Sequence, residues 1–360
     1  MKKLKVIEFT PGLGFGGTEK TVYTFCKYLD RDRFDVSVIS FKSDPASGRE
    51  QAIKDLGIET EIVEPERLEE RLGSLSADIF HIHRGGWKEP GPIKAARDAG
   101  IPVVVEHNVF GRLDGSEEND LIDCHIFISY SCAWRYQMWL RCPLVTSRYE
   151  VLYYPVEIDN FDSFGFDDRD FSKKIIGRIG RADNTKWDFT YLEALKIVYN
   201  AVPEFKFHVI GATPEVKNKL VEMGVEKCLV EFPMTTDERE VMEFYSGIST
   251  LAHFADMGET FGLVLAEAMA AKLPVVTHQT APVKDSAQTE LINNGYNGIV
   301  AVDPQMYADA LIALLSNPQS ARQLGLTGYN KARASYDAPA ITRGLEEIFE
   351  EQARLKGILH

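Results

Sequence analysis

Two carboxylates eight residues apart, set around a glycine-flanked turn, are the densest chemistry in this chain. They lie in Gly258-Glu259-Thr260-Phe261-Gly262, which runs on into Leu263-Val264-Leu265-Ala266-Glu267-Ala268-Met269-Ala270. The pattern predicts a tight loop that opens a helix, ends near Lys272-Leu273-Pro274, and leads to a short strand, Val275-Val276-Thr277. A helix entered from such a loop aims unpaired backbone N–H groups and the positive end of its dipole at whatever lies above it, which suits a phosphate. Glu259 sits in the loop and Glu267 inside the helix, so the two serve different distances from one anchored ligand. A charged acceptor makes the stronger hydrogen bond to a sugar or ribose hydroxyl. Glu267 is embedded in an almost wholly apolar helix, and a charge buried there needs a partner.

A second group of candidates opens the other half-chain pattern. Lys174-Ile175-Ile176-Gly177-Arg178-Ile179-Gly180-Arg181 reads as a strand leading into a loop, with Lys186-Trp187-Asp188 starting the next helix. Arginine and lysine at a helix start combine a bidentate fork with a point charge above N–H donors, a phosphate clamp. Arg178 and Arg181 both stand close enough to Lys186 to serve. In the first half, Val103-Val104-Val105-Glu106-His107-Asn108 is a buried strand that delivers His107 to its carboxyl end, where open α/β sheets place ligands. His81 and His83 share one face of the strand ending Asp78-Ile79-Phe80-His81-Ile82-His83. A metal there lacks a third ligand at sensible spacing, and a structural role is the favoured reading.

The elements that must position these residues follow a βα rhythm. Leu4–Thr10, Val36–Phe41, Ile58–Val63, Ile79–His83, Val103–Glu106 and His125–Ser129 read as strands separated by helical stretches, which predicts a parallel sheet with helices on both faces. After residues 160–172, polar and turn-rich and read as a linker, the rhythm restarts with Lys174–Arg181, Phe205–Ile210, Val230–Phe232, Ile248–His253 and Val275–Thr277. The glycine loop between the first strand and helix has two readings. Gly12-x-Gly14-x-x-Gly17 fits the dinucleotide fingerprint, but the acidic residue expected after the second strand arrives late, as Asp44. Ser131–Leu140, with Trp134, Tyr136, Met138 and Trp139, reads as an amphipathic helix packed on the sheet, with an acceptor or lipid contact as the lesser reading.

Gly-Glu-x-Phe-Gly-x6-Glu-Ala-Met-Ala-x3-Pro-Val-Val resembles the donor-site motif of retaining GT-B glycosyltransferases of family GT4, and the resemblance extends over essentially the whole chain. It implies two Rossmann-like domains facing each other across a cleft: 1–160 on the acceptor side, 172–344 holding the nucleotide sugar, and a final helix, about 345–360, folded back onto the first domain. In that family Gly16-Gly17-Thr18-Glu19 would enter the first helix near the donor phosphate. Arg178 or Arg181, Lys186, Phe261 and Gly262 would hold the diphosphate. Glu259, Thr260 and Glu267 would hold sugar and ribose, His107 would contact the sugar at the reaction centre, and the turns at Gly211 and Met234 would receive the nucleobase. The chain departs from the pattern at Ala281-Pro282-Val283-Lys284-Asp285, where the family often has a glycine pair, and at Lys272, where it often has glycine.

Composition bounds the rest. The chain has 360 residues, a net charge of −14 and 44% hydrophobic residues. Two domains are the natural division at this length. Both halves are acidic, which argues against nucleic acid and against strong adhesion to anionic lipid. No apolar run approaches the roughly 18 to 20 residues of a membrane span. The opening Met1–Ile7 reads as a first strand rather than a leader. Five cysteines without a Cys-x2-Cys pair suggest neither zinc nor a disulfide framework, hence a cytoplasmic protein. The reading is an enzyme that moves a hexose-type sugar, with retention, from a UDP-, GDP- or ADP-sugar to a sugar, lipid-linked or small-molecule acceptor. It needs no metal or cofactor, and weak peripheral membrane contact is allowed. The alternatives are an epimerase or phosphorylase on the same fold, an NAD(P)-dependent oxidoreductase using the N-terminal glycines, and a non-catalytic sugar-nucleotide-binding protein.

Overall fold

A computed structural model describes residues 3–359 except 89, 90, 142, 145, 146 and 282, so Cys142 and Pro282 lie outside the described residues. The chain divides into two compact units, 1–155 with 338–360, and 156–337.

The first unit holds a seven-stranded sheet: β1 (Leu4–Thr10), β2 (Phe34–Ser40), β3 (Glu59–Ile62), β4 (Ile79–Arg84), β5 (Val103–Asn108), β6 (Cys124–Phe127) and β7 (Tyr149–Val151), in the order β3-β2-β1-β4-β5-β6-β7. Every pairing is parallel. Strands β4, β5 and β6 are buried along their whole length because helices cover both faces, which is why they read as near-continuous apolar runs. One face carries Val6, Ile79, Val105 and Ile126 against the helices Gly17–Tyr28 and Ala338–Leu355; the other carries Ile7, Phe80, Ile82 and Val104. The final helix lies in this unit, with Leu345, Phe349 and Ala353 fully buried.

The second unit holds β8 (Ile175–Ile179), β9 (Lys206–Ile210), β10 (Leu229–Phe232), β11 (Thr250–Ala252), β12 (Val275–His278) and β13 (Ile299–Ala301), again all parallel, in the order β10-β9-β8-β11-β12-β13. In each sheet the order reverses at one place, between β1 and β4 and between β8 and β11. Ligands of open α/β sheets bind outside the carboxyl ends of the strands at such a point.

Two sequence expectations change. Residues 160–172 belong to the second unit: Ile158–Phe164 is a helix, Phe161, Phe166 and Phe171 are buried, and the Arg169 guanidinium donates to the carbonyls of Tyr245, Ile248 and Ala271. Its polar residues read as a linker because the apolar anchors are spaced too irregularly to show a period. The helix Tyr130–Leu140 packs through Cys132, Ala133 and Tyr136, while Tyr130, Trp134, Met138 and Trp139 stand 59–66% exposed. Its larger aromatic face points away from the sheet, contrary to the core-packing expectation.

Candidate active site

The opening motif folds as its residues demand. Gly258 has φ +70°, and a Cβ there would strike the Asp285 carbonyl oxygen at 1.8 Å; Gly262 has φ +92° and caps the helix Leu263–Ala270. The loop after β11 is pinned by two bonds, Glu259 N–H to Gln288 Oε1 (3.0 Å) and Ala287 N–H to the Glu259 carbonyl (2.9 Å). These leave the Glu259 carboxylate facing the loop that follows β8. Lys186 Nζ lies 3.1 and 2.9 Å from its two oxygens, and His253 Nε2 lies 3.2 Å from one of them. Burial would raise the Glu259 carboxyl, but Lys186 and His253 outweigh it and hold it well below the usual carboxylate range. His253 is kept neutral by burial, its pKa lowered to about 4, and its Nδ1 meets Thr277 Oγ1 at 2.9 Å.

The two arginines of the β8 loop separate cleanly. Arg178 is 3% exposed and lies between the rings of Trp187 (4.3 Å) and Phe254 (4.6 Å). Its guanidinium donates to the carbonyl oxygens of Lys186 and, at 3.4 Å, Phe254. Burial lowers its pKa to about 10. It ties the Lys186 segment to the end of β11. Arg181 is exposed at the loop's outer edge. Gly211, with φ +90°, lets the β9 turn press on this loop: a Cβ there would meet the Gly180 carbonyl oxygen at 2.1 Å. Thr213 Oγ1 donates to Asn184 Oδ1 at 2.6 Å, closing the same loop from the next helix. Met234 is exposed beyond β10.

Within the second unit, then, Lys186, Glu259 and the amino end of the helix Leu263–Ala270 come together, with Gly211 behind the loop. Glu267 is buried one helical turn deeper and accepts from Tyr245 Oη at 2.9 Å. Phe261 is buried with its ring edge-on to Tyr336 at 5.4 Å, and Thr260 is part-exposed beside it. Lys272 adopts φ +56° at the helix end, the left-handed conformation that favours glycine there. The sequence reading missed His253, Thr277 and Gln288. His253 stood at the end of a strand it had named, and the carboxyl end of a strand was the signal.

In the first unit, Gly16 precedes the helix Gly17–Tyr28 in extended conformation, and Glu19 folds back so that a Cβ on Gly16 would meet Oε2 at 2.1 Å. Asp44, the late acidic residue of the dinucleotide reading, accepts from Ala46 N–H and caps a short 3-10 turn. His107 is fully buried, its Nδ1 2.7 Å from His81 Nε2. On the opposite face Glu106 lies 2.6 Å from Arg84 Nε and 2.5 Å from His125 Nδ1, and Arg84 also meets Asp114 at 2.9 Å.

Two parallel-sheet units of this topology make a GT-B fold, that of a large class of glycosyltransferases. Residues 163–331 match the family model described as Glycosyl transferases group 1, which supports a transferase enzyme. It is 22% identical over 350 residues to spore coat protein SA of Bacillus subtilis, covering 89% of this chain and 90% of that one. Over 194 residues it is 27% identical to D-inositol 3-phosphate glycosyltransferase of Corynebacterium jeikeium, half of this chain and 44% of that one. Among solved structures, a glycosyltransferase from Rickettsia africae superposes with a TM-score of 0.80 at 14% identity, covering 98% and 99% of the two chains. Anabaena Alr3699/HepE, in complex with UDP and glucose, superposes at 0.75 with 16% identity, covering 97% and 100%.

Proposed function

We propose that the chain is a retaining glycosyltransferase of the GT4 type that moves a hexose-type sugar from a nucleoside-diphosphate sugar to a sugar, lipid-linked or small-molecule acceptor. The observation that carries this reading is the pairing of Lys186 with Glu259 across the β8–β11 reversal, beside a helix amino terminus. As the bond between sugar and diphosphate breaks, negative charge grows on the diphosphate. Lys186, Arg181 and the N–H groups behind Phe261-Gly262 supply the fixed positive potential that such a transition state needs. Glu259 takes the sugar hydroxyls, Glu267 the ribose, and the turn at Gly211 and Met234 the base. Arg178 serves by holding the Lys186 carbonyl. The structures of Alr3699/HepE with UDP and with UDP-glucose support a nucleotide-sugar donor. The exposed aromatic face of Tyr130–Leu140, edged by Arg135 and Arg141, supports a peripheral contact with the cytoplasmic face of a membrane.

Thermal stabilisation by UDP, GDP, ADP and NAD(P), with their sugar conjugates, tests the donor. A ligand at 100 times its dissociation constant adds about 2.7 kcal/mol of stability. One nucleoside diphosphate should raise the melting temperature of the wild type and fail to raise that of Lys186→Ala. Stabilisation by NAD(P) alone would overturn the reading. The anomeric configuration of the product, read by NMR, decides retention: a product inverted relative to the donor removes that part.

A further inference from the structure

A buried polar cluster at the β1–β4 reversal of the first sheet takes no part in the donor chemistry described above. Glu8 of β1 stands opposite His81 of β4, and His83 opposite His107 of β5. All four side chains are buried on one face of the sheet. We propose that Glu8, acting through His81, is the positioning carboxylate of His107, fixing its proton on Nδ1 and presenting Nε2 as a hydrogen-bond acceptor for a ligand hydroxyl at this end of the sheet.

The proton placement follows from counting donors. His81 Nδ1 lies 2.8 Å from Glu8 Oε1 and His83 Nε2 lies 3.0 Å from Oε2. An ionised carboxylate only accepts, so both of those ring nitrogens carry hydrogen. Burial would push the Glu8 carboxyl up, but the two histidines outweigh it and hold it at about 2, so it is ionised. We take His81 as an imidazole with a single N–H; that N–H is given to Glu8, which leaves Nε2 as a lone pair. Its 2.7 Å contact with His107 Nδ1 is then a bond donated by His107. The last nitrogen of His107, Nε2, then carries a lone pair, is buried, and meets no donor among the described residues. Burial keeps His83 and His107 neutral. Rotation of the His107 ring is blocked: His83 stacks on it at 4.9 Å with 7° between planes, and Phe25 and Tyr154 close in at 5.5 and 6.2 Å.

The arrangement is a Glu–His–His ladder, one imidazole longer than the carboxylate–histidine pairs that orient catalytic bases. A metal is the competing use, since ring nitrogens of His81, His83 and His107 lie within 4.8 Å of one another. Two nitrogens on one tetrahedral metal stand roughly 3.3 Å apart, so the 2.7 Å contact is the length of a hydrogen bond and too short for shared ligation. The use made of His107 Nε2 rests on the transferase reading above; the placement of its proton does not.

Long-range 1H–15N correlation on the full chain labelled at histidine, near pH 7.5, reads the ladder directly, with signals assigned by His81→Asn and His83→Asn. We expect His107 protonated at Nδ1 with an unprotonated, pyridine-type Nε2, and His81 protonated at Nδ1 alone. A proton on His107 Nε2, or two protons on His81, overturns the proposal. Glu8→Gln keeps the volume and removes the charge. It should lower kcat for transfer about 10- to 100-fold while the donor KM moves less than about twofold. An unchanged kcat, or equal loss through KM, counts against the ladder. If the variant fails to fold, the wild-type spectrum still decides, and a failed donor test leaves that spectrum untouched.

Discussion

Lys186 Nζ spans both carboxylate oxygens of Glu259, at 3.1 and 2.9 Å, so the cation proposed to meet phosphate is neutralised by the acid proposed to meet sugar. On the proposed reading a donor would enter by exchanging partners within a preformed pair, each group being held in place by the other until it does. With Lys186 28% exposed, the pair itself adds little to folding. Its value is geometric.

The two arginines give opposite phenotypes. Arg181→Ala should leave the melting temperature within about 2 °C of wild type, as a surface change does, and weaken nucleotide binding about 10-fold. Arg178→Ala vacates a site between two aromatic rings and leaves the Lys186 carbonyl without its donor, costing about 3 kcal/mol. Urea unfolding and nucleotide titration of both variants separate the cases. Equal stability of the two would show that Arg178 is not the staple.

Stability should fall in acid, beginning near pH 6.5. His83 and His253 are buried neutral with pKa lowered to about 4, so between pH 6.5 and 4 the unfolded chain binds protons that the folded chain does not. Their contribution is complete above pH 6.5 and is lost as pH falls through that window, by about 1–3 kcal/mol each. Glu8, lowered to about 2, adds a second loss between pH 4.5 and 2. Urea midpoints at pH 7.5, 6.0 and 4.5 check this, and His253→Gln should flatten part of the upper limb. A midpoint constant from 7.5 to 4.5 would refute it.

Trp134 and Trp187 are the same residue in opposite settings, 60% and 2% exposed. Trp134→Ser should change stability by less than about 0.5 kcal/mol, whereas Trp187→Ala should cost about 3–5 kcal/mol. If the exposed face meets a membrane, Trp134→Ser together with Trp139→Ser reduces co-sedimentation with phospholipid vesicles. Unaltered sedimentation assigns the face another role.

Transfer should survive chelation. If Lys186, Arg181 and the helix amino terminus carry the positive potential as proposed, 5 mM EDTA, roughly a routine excess over trace divalent ions, should leave the initial rate within about twofold. A collapse restored by Mg2+ or Mn2+ would place a metal on the diphosphate.

Much of this was legible in the residues because parallel strands buried on both faces write themselves as short apolar runs, and glycines with positive φ mark the turns that ligands approach. The strand β13 went unread: Ile299–Ala301 is three residues long, too short for a period to register. Arg178 and Arg181 could not be told apart, since a guanidinium clamped between Trp187 and Phe254 depends on rings 9 and 76 residues away. His81 and His83 were seen to share a face. That His107 completes their cluster is a matter of strand order, β1-β4-β5, which local pattern does not encode.

Arg169 sets the limits within which the second unit can be handled as a separate object. Its buried guanidinium meets no carboxylate among the described residues, and its two terminal nitrogens donate to carbonyls at the carboxyl ends of Glu238–Ser246 and Leu263–Ala270, the negative poles of both helices. A gene fragment begun at residue 172, where the strands resume, would leave those poles uncapped and the motif helix unanchored at its far end. A fragment or chimaera of the second unit has to begin by residue 156, and a swap between homologues must carry residues 158–171 with the domain they precede.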